Sequence, residues 1–179
     1  MKAIIIWSTI DRLDWLNNCL KSFNGYNKYP ILILMINNGL GRFGDIKREV
    51  EKLNYDEFII LQDSMEVKNP DIFDICFEQY EGKSVSLCST PAKFGNFHGK
   101  FLKDVFLRCS NLATNSKMDD VMAELKFSQD YVNNCGDFID LCDLSHTNNF
   151  EMKFDRLNMV TENDYIKKFK ATWALNMVK

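Results

Sequence analysis

The sequence has neither clusters of lysine and arginine nor a long apolar run. Its 179 residues carry a formal net charge of −3, and this balance gives no positive footprint for duplex nucleic acid or an anionic membrane surface. We therefore expect no nucleic acid among its partners.

The longest apolar runs, such as Ile31 to Ile36, fall far short of the roughly 20 residues that a membrane-spanning helix needs. No transmembrane segment is expected, and Met1 to Trp7, which is short and has no small-residue cleavage site after it, is predicted to be a strand rather than a signal peptide.

Two kinds of short motif are also missing, namely paired cysteines and the phosphate loop GxxxxGK(S/T). Without a CxxC pair, the cysteines are interpreted as reduced thiols of the core. Free thiols indicate a reducing compartment, so a cytoplasmic location is expected. GxxxxGK(S/T) is absent, which counts against an enzyme that holds phosphates in such a loop. Gly39, Gly41 and Gly44, after the second predicted strand, do have GxGxxG spacing. The six cysteines are Cys19, Cys76, Cys88, Cys109, Cys135 and Cys142.

Linkers, internal repeats and low-complexity tracts are absent as well, which favours one compact domain over residues 1–179. A hydrophobic fraction of 46% is enough for a core in a chain of this length. Short apolar runs predict strands, and helical periodicity flanks each of them, so the order is the βαβαβ alternation of an α/β fold. The predicted strands are Ala3 to Trp7, Ile31 to Ile36, Phe58 to Leu61, Val85 to Cys88 and Phe138 to Cys142.

Amphipathic helices are predicted between these strands. Leu13 to Phe23 places its apolar side chains on one face and stops at Gly25. The segment from Asp45 to Leu53 has one apolar side, with Asp45 at the expected N-cap. Thr90 to Lys100, rich in glycine, asparagine and aromatic residues, is interpreted as a loop. Further helices are predicted after Asn69-Pro70-Asp71, at Met118 to Val132, and at Glu162 to Met177, the last as a terminal helix or arm.

Polar residues directly follow the first three predicted strands. Ser8-Thr9-Ile10-Asp11-Arg12 follows the first, Asn37-Asn38-Gly39 the second and Gln62-Asp63-Ser64 the third. Parallel strands joined by right-handed crossovers bring their carboxyl ends to one edge, where open α/β sheets bind their ligands. The sequence therefore predicts one crevice lined by these three strand ends.

Four segments resemble, in the same order, the family 2-like glycosyltransferases of the GT-A fold. The opening strand and helix match at Thr9, Arg12, Leu16, Cys19-Leu20 and Ser22-Phe23. YPILILMINNG is similar to the family's second strand, FIILQDSMEVKNPDIFD to the strand with the DxD element, and MDDVMAELKFSQDYVNNCG to the helix with the acidic catalytic pair. The resemblance spans about three quarters of the chain. It implies a GT-A-like, Rossmann-like and mostly parallel sheet flanked by helices, with a nucleotide-binding half at residues 1–89 and an acceptor-side half and C-terminal arm at residues 90–179.

The resemblance also implies the reaction and its principal residues. A sugar would pass, with inversion, from a UDP-sugar or GDP-sugar to the hydroxyl of a glycan or another acceptor. Asp120, or its neighbour Asp119, would be the base that activates this hydroxyl. Asp63 would bind Mn²⁺ or Mg²⁺ at the diphosphate, because hard cations prefer oxygen ligands. The nucleotide would contact Thr9, Asp11, Arg12, Asn37, Asn38, Gln62 and Asp63.

The DxD element departs from the family pattern, because Gln62 and Ser64 flank a single carboxylate. Glu66 or His146 could supply a second metal ligand. Loss of one carboxylate keeps two other functions open. One is a catalytically inactive domain of the same fold that binds a nucleotide sugar or a carbohydrate, and the other is a different nucleotide-handling α/β enzyme.

The acidic and basic candidates also have purely structural interpretations. Asp63 could cap the turn after its strand, and Asp119 and Asp120 could cap a helix start, where acidic residues are favoured anyway. Arg12 could be a solvated charge.

The roles of two histidines and one tryptophan also have both a functional and a structural interpretation. His98, in the glycine-containing loop 93–100, and His146 could bind a ligand or simply be exposed or packed. Trp173 could pack on the sheet or hold a second subunit, so a homodimer is an open possibility.

Overall fold

The computed structural model describes residues 1–36, 42–87, 93–110, 117–141, 153–155 and 160–169. Its strands are β1 (Lys2–Thr9), β2 (Ile31–Ile36), β3 (Glu57–Gln62), β4 (Met65–Val67), β5 (Ser84–Ser86), β6 (Gly99–Leu102), β7 (Phe138–Asp140), β8 (Lys153–Asp155), β9 (Val160–Glu162) and β10 (Ile166–Phe169). Its helices are α1 (Leu13–Ser22), α2 (Arg42–Lys52), α3 (Asp71–Asp74), α4 (Lys103–Arg108) and α5 (Lys117–Cys135). A 3₁₀ turn at Ile10–Arg12 precedes α1, a π-helical turn at Ile75–Gln79 extends α3, and a second 3₁₀ turn at Gly95–Phe97 precedes β6.

A six-stranded, mostly parallel sheet organises the chain, with the strand order β2-β1-β3-β6-β5-β7. β1 pairs in parallel with both β2 and β3, and β5 pairs in parallel with β7. β6 runs in the opposite direction and is antiparallel to both β3 and β5. The carboxyl ends of β1, β2, β3, β5 and β7 therefore lie along one edge, which we call the carboxyl edge.

Side chains of the central strands alternate between two cores, one on each face of the sheet. Ile4 and Ile6 of β1 face a core shared with α1 and α3, whereas Ile5 and Trp7 face a core shared with α2, α4 and α5. Successive side chains of a strand point to opposite faces, and here both faces are covered. Because the side chains on both faces are buried, the sequence of β1 is a continuous apolar run. The expected α/β fold with a mostly parallel sheet flanked by helices is confirmed.

A buried ion pair ties β6 to β3 at the opposite, amino edge. The ammonium of Lys100 is fully buried and lies 2.6 Å from Glu57 Oε2, and it donates a 2.7 Å hydrogen bond to the carbonyl of Tyr80. Glu57 Oε1 accepts a hydrogen bond from the backbone N–H of Gly82. Burial lowers the pKa of Lys100, although the carboxylate of Glu57 acts against this shift. The pair joins two strands to the turn that follows the π-helical segment.

A second, antiparallel sheet has the order β4-β10-β9-β8. It begins directly after the β3–β4 turn, and β10 pairs with β4 and with β9. The prediction of a terminal helix or arm over Glu162 to Met177 is wrong for residues 162–169, where the chain forms β9, a turn and β10. Asn163 explains the difference, because its side-chain oxygen accepts hydrogen bonds from the backbone N–H groups of Tyr165 and Ile166 and closes the turn. Residues 170–177 lie outside the described residues.

Three further predictions about elements need correction. Asp45 is not an N-cap, because α2 begins at Arg42 and places Asp45 in its first turn. The predicted loop up to Lys100 contains the first half of β6, since Gly99 and Lys100 pair with Ser86 and Val85. The predicted strand at Val85 to Cys88 is observed one residue earlier and ends at Ser86, with Cys88 outside the described residues.

Other predicted elements match the structure closely. α1 and β2 keep nearly their predicted bounds, and α5 extends three residues beyond Val132 to Cys135. Gly136, with a φ of 67°, follows it, as is common after a helix. Cys19, Cys76 and Cys109 are buried free thiols, as expected, while Cys135 is half-buried. Within the described ranges, every helix is too short or too polar to cross a bilayer.

Candidate functional site

Asp63 lies in the turn between β3 and β4, at the carboxyl edge of the large sheet. Its side chain is completely buried between the end of β1 and the 3₁₀ turn that follows it. Ser8 Oγ donates a 2.8 Å hydrogen bond to Asp63 Oδ2, and Arg12 Nη2 lies 3.0 Å from Oδ1. The guanidinium is not aligned for a hydrogen bond, and none of the described residues hydrogen-bonds Oδ1. A hydroxyl and a cation therefore compensate one buried carboxylate.

Burial determines the protonation behaviour of this carboxylate. Desolvation raises the pKa of Asp63 above its ordinary value of 3.8. The hydrogen bond from Ser8 and the positive charges of Arg12 and Lys168 act in the opposite direction without outweighing burial. Beneath the turn, burial and the charge of Asp63 raise the pKa of Cys19 to about 12, so this thiol stays protonated at neutral pH.

Lys168 reaches the same turn from β10. Its ammonium donates hydrogen bonds to Gln62 Oε1 and Ser64 Oγ, the side chains on either side of Asp63. The backbone N–H of Phe169 donates a 2.9 Å hydrogen bond to the carbonyl of Ser64, which fixes β10 against the turn. The β3–β4 turn thus contacts a second cation, and this cation comes from a residue more than a hundred positions further along the chain.

An aromatic pair, Trp15 and Phe169, lies beside Arg12. The rings of Trp15 and Phe169 meet edge to face with their centroids 5.4 Å apart. The guanidinium carbon of Arg12 lies 5.7 Å from the centre of the Trp15 ring, a cation–π arrangement. The side chain of Trp15 is 39% exposed. We call Trp15 and Phe169 the aromatic rim, because they offer a partly exposed apolar surface beside a charged turn.

The loop after β1 holds two more of the predicted residues. Thr9 is buried, and its hydroxyl donates a 2.6 Å hydrogen bond to Asp11 Oδ1. Asp11 is exposed. Thr9, Asp11, Arg12, Gln62 and Asp63 thus all lie at the carboxyl edge, as expected of strand ends in a parallel sheet.

A second polar cluster lies further along the carboxyl edge, at the ends of β5 and β7. Lys93 Nζ lies 2.6 Å from Asp140 Oδ2, and the hydroxyl of Ser86 donates a hydrogen bond to the carbonyl of Lys93. His98 is buried just before β6, and its carbonyl accepts a hydrogen bond from the N–H of Leu87. His98 is thus a packed residue in this structure.

The direction of α5 brings its first turn toward the carboxyl edge. Near its end, the Tyr131 hydroxyl accepts a hydrogen bond from the N–H of Leu102 and lies 2.8 Å from Ser84 Oγ, and both contacts are at the amino edge. One turn earlier in α5, Ser128 Oγ accepts a hydrogen bond from the N–H of Phe94. Phe94 precedes β6 and therefore lies toward the carboxyl edge. The helix continues from Tyr131 to its start over roughly 20 Å. The backbone of Asp119 and Asp120 is therefore directed toward the edge that carries Asp63, and the Asp119 side chain is half-buried.

The described residues around Asp63 are a poor fit to a divalent cation. Asp63 Oδ2 already accepts from Ser8, and a guanidinium lies against Oδ1, where it would repel a metal ion. Glu66 is on β4 opposite Lys167. Across the described ranges, no group of three or more His, Cys, Asp and Glu side chains could hold a metal ion.

Several predicted site residues cannot be placed. Asn37, Asn38 and His146 lie outside the described residues, and the side chain of Asp120 does so too, although its backbone is part of α5. The structure in turn adds Lys168 and the aromatic rim, which were not predicted as site residues, and it makes Ser8, predicted only as part of a strand end that lines the crevice, a hydrogen-bond donor to Asp63. Ser8 had a usable signal, because it follows the apolar run of β1 directly. Lys168 had none, since its contact depends on the pairing of β10 with β4.

Comparison with known proteins leaves the family open. No protein-family model matches the chain, and no curated protein matches it significantly. What is established is an α/β fold compatible with a Rossmann-like arrangement. The site is therefore interpreted from its own geometry.

Proposed function

We propose that this chain is a GT-A-like glycosyltransferase that moves a sugar from a nucleotide-diphosphate sugar to an acceptor hydroxyl, with inversion. The observation that supports the proposal is that Asp63 lies at the carboxyl edge and that α5, followed back from Tyr131 to its start, runs toward the same edge. These are the two places that the resemblance assigns to the donor diphosphate and to the catalytic base. The crevice outside the carboxyl ends of parallel strands is also where α/β proteins bind nucleotides.

The proposed reaction is a single displacement. Asp120, or Asp119 beside it, accepts the proton of the acceptor hydroxyl, and the oxygen attacks the anomeric carbon of the sugar. The bond from that carbon to the phosphate oxygen breaks at the same time, and the nucleoside diphosphate leaves with the electron pair. Attack from the side opposite the leaving group inverts the anomeric centre. Positive charge near the diphosphate favours its departure.

One observation favours a second candidate, a domain of the same fold that binds a nucleotide sugar or a carbohydrate without turnover. Asp63 is fully buried, and its carboxylate is already compensated by Ser8 and Arg12. Such an arrangement can hold the turn in shape without taking part in chemistry.

A ligand screen followed by a turnover assay tests the proposal. We expect one of UDP, GDP and CMP, or a sugar conjugate of it, to raise the melting temperature in the presence of either Mn²⁺ or EDTA. A ligand at a hundredfold excess over its Kd adds about 2.7 kcal/mol to the free energy of unfolding, enough for a clear shift. Release of the nucleoside diphosphate in the presence of an acceptor would then show transfer.

Asp120→Asn is the decisive variant. We expect it to lower turnover by about a hundredfold or more while nucleotide binding stays intact, because a general base acts only on the chemical step. The matched control is Asp137→Asn, which changes an exposed aspartate just beyond the other end of α5. Absence of any ligand-induced shift would overturn the proposal, and a shift without turnover in the wild type would favour the binding domain.

A further inference from the structure

Two cations occupy the region where the resemblance predicts a metal ion. Arg12 lies against Asp63, and Lys168 donates hydrogen bonds to both neighbours of Asp63 in sequence. The cations come from opposite ends of the described chain, and both contact side chains of residues 62–64 around the β3–β4 turn. The two groups that accept these hydrogen bonds from Lys168 are neutral oxygens.

We propose that Arg12 and Lys168 form a metal-independent binding site for a diphosphate anion at this turn. This inference rests on the proposed function, of which it specifies how the donor's leaving group is held. An arginine has five N–H donors and a lysine has three, so both can bind phosphate oxygens while they retain contacts to the turn. Charge-assisted hydrogen bonds of this kind are among the stronger ones in proteins.

Three features of the turn support an anion rather than a divalent cation as its ligand. Asp63 is the carboxylate at its centre, and both of its oxygens already face a donor or a cation. A metal ion on Oδ1 would lie next to the guanidinium of Arg12, and two like charges at such a distance repel strongly in a partly buried site. The residue types of the DxD element, Gln62 and Ser64 in place of the second carboxylate, fit an ammonium better than a metal ion.

The aromatic rim supports the same ligand class. The ring of Trp15 lies beside the guanidinium of Arg12 and meets the ring of Phe169, which follows Lys168 in β10. A nucleoside diphosphate has a charged part and a flat apolar part in close succession. The charged turn would bind the diphosphate, and the partly exposed aromatic surface next to it would contact the flat base.

Calorimetric titration with inorganic pyrophosphate and with UDP and GDP, in EDTA and in Mn²⁺, tests the inference. We expect pyrophosphate and one nucleotide to bind in EDTA, without a requirement for Mn²⁺. Lys168→Gln keeps a side chain that can bond to Ser64 but removes the charge, and it should weaken binding by about tenfold or more. Lys168→Arg should restore most of the affinity, which a purely structural role of Lys168 would not require.

Lys83→Gln is the matched control, since it removes the same charge at an exposed position just before β5, at the opposite edge of the sheet. It should leave the affinity near the wild-type value. Binding that occurs only with Mn²⁺, or equal behaviour of the Lys83 and Lys168 variants, would overturn the inference but not the proposed function. Pyrophosphate binding through Lys168 without any response to nucleotide sugars would support the anion site and count against the transferase. No binding of any of these ligands under either condition would overturn both.

Discussion

At the scale of single residues, Asp63 stands out as a carboxylate whose burial outweighs its favourable partners. A buried charge is costly unless it is paired and hydrogen-bonded, and Asp63 has one hydrogen bond from Ser8 and one ion pair with Arg12. Its pKa is nevertheless raised. The folded protein therefore binds a proton at Asp63 more readily than the unfolded chain does, and this has a measurable effect on stability.

The stability contribution of Asp63 should decrease as pH rises. Because its folded pKa lies above the ordinary value of 3.8, Asp63 favours folding most below that pH, and this contribution is lost as pH rises through the folded pKa. We expect Asp63→Asn to lack this component. Urea denaturation of both proteins at a series of pH values from 4 to 7 measures it as the difference between their free energies of unfolding.

The difference between wild type and Asp63→Asn should change in one direction only, with the wild type losing stability relative to the variant as pH rises. A constant difference would show that the pKa of Asp63 is unshifted. A difference that changes in the opposite direction would show that Ser8 and Arg12 outweigh burial.

The residues of the site differ in how far the sequence could reveal them. Asp63 could be found because an apolar run ends on it, and Thr9 and Arg12 because they follow another such run. Lys168 could not be found, because the antiparallel register that places it opposite Met65 is a property of the second sheet. Local patterns report which residues end a strand, whereas contacts across a hundred residues depend on the whole fold.

At the scale of elements, the antiparallel strand β6 can pair closely with β5 because its first residue, Gly99, has no side chain. A Cβ atom at Gly99 would lie 2.5 Å from the carbonyl oxygen of Val85 and 3.2 Å from the ring of Phe94. Gly99 pairs with Ser86 in the register between β5 and β6. The close approach of two backbones explains why the first residue of β6 is glycine.

Gly99→Ala should destabilise the protein by about 1–3 kcal/mol, because the backbone oxygen of Val85 cannot give way without a shift of β5. Chemical denaturation monitored by circular dichroism measures this change. Lys83→Ala, at an exposed position one residue before β5, is the control and should be close to neutral. A neutral effect of Gly99→Ala would mean that β5 and β6 can separate at no cost.

Elements with strong periodicity were predictable, and elements defined by their partners were not. The strands β1, β2 and β3 are buried apolar runs, and α1 has a clear apolar face, so local sequence was sufficient. β6 begins with Gly99 and contains the buried Lys100, neither of which is typical of a strand interior. Its pairing partners and Glu57 compensate for both, which no local pattern can show.

At the scale of the whole molecule, the two sheets should differ in their resistance to opening. β1 is paired on both sides, and its residues Ala3 to Ile6 are fully buried. In the second sheet, Lys167 and Lys168 of β10 are only half-buried, as is Glu162 of β9. Local opening is easier where fewer apolar contacts hold the backbone.

We therefore expect the backbone amides of β1 and β3 to exchange with solvent only on global unfolding, and those of β9 and β10 to exchange faster. Hydrogen–deuterium exchange followed by mass spectrometry measures both in one experiment. Equal protection of the two sheets would show that they open as one cooperative unit. In that case the turn that carries Asp63 would transmit unfolding from one to the other.

The attachment of Lys168 to the β3–β4 turn also determines when the site can exist. During synthesis, every strand of the large sheet, including β7 at residues 138–140, leaves the ribosome before residue 168 does. A nascent chain can thus assemble its main sheet while the second cation of the site is still missing. Ligand binding would then begin only after residue 168 has left the ribosome, so a nucleotide could stabilise the assembled site but could not act as a template for the main sheet.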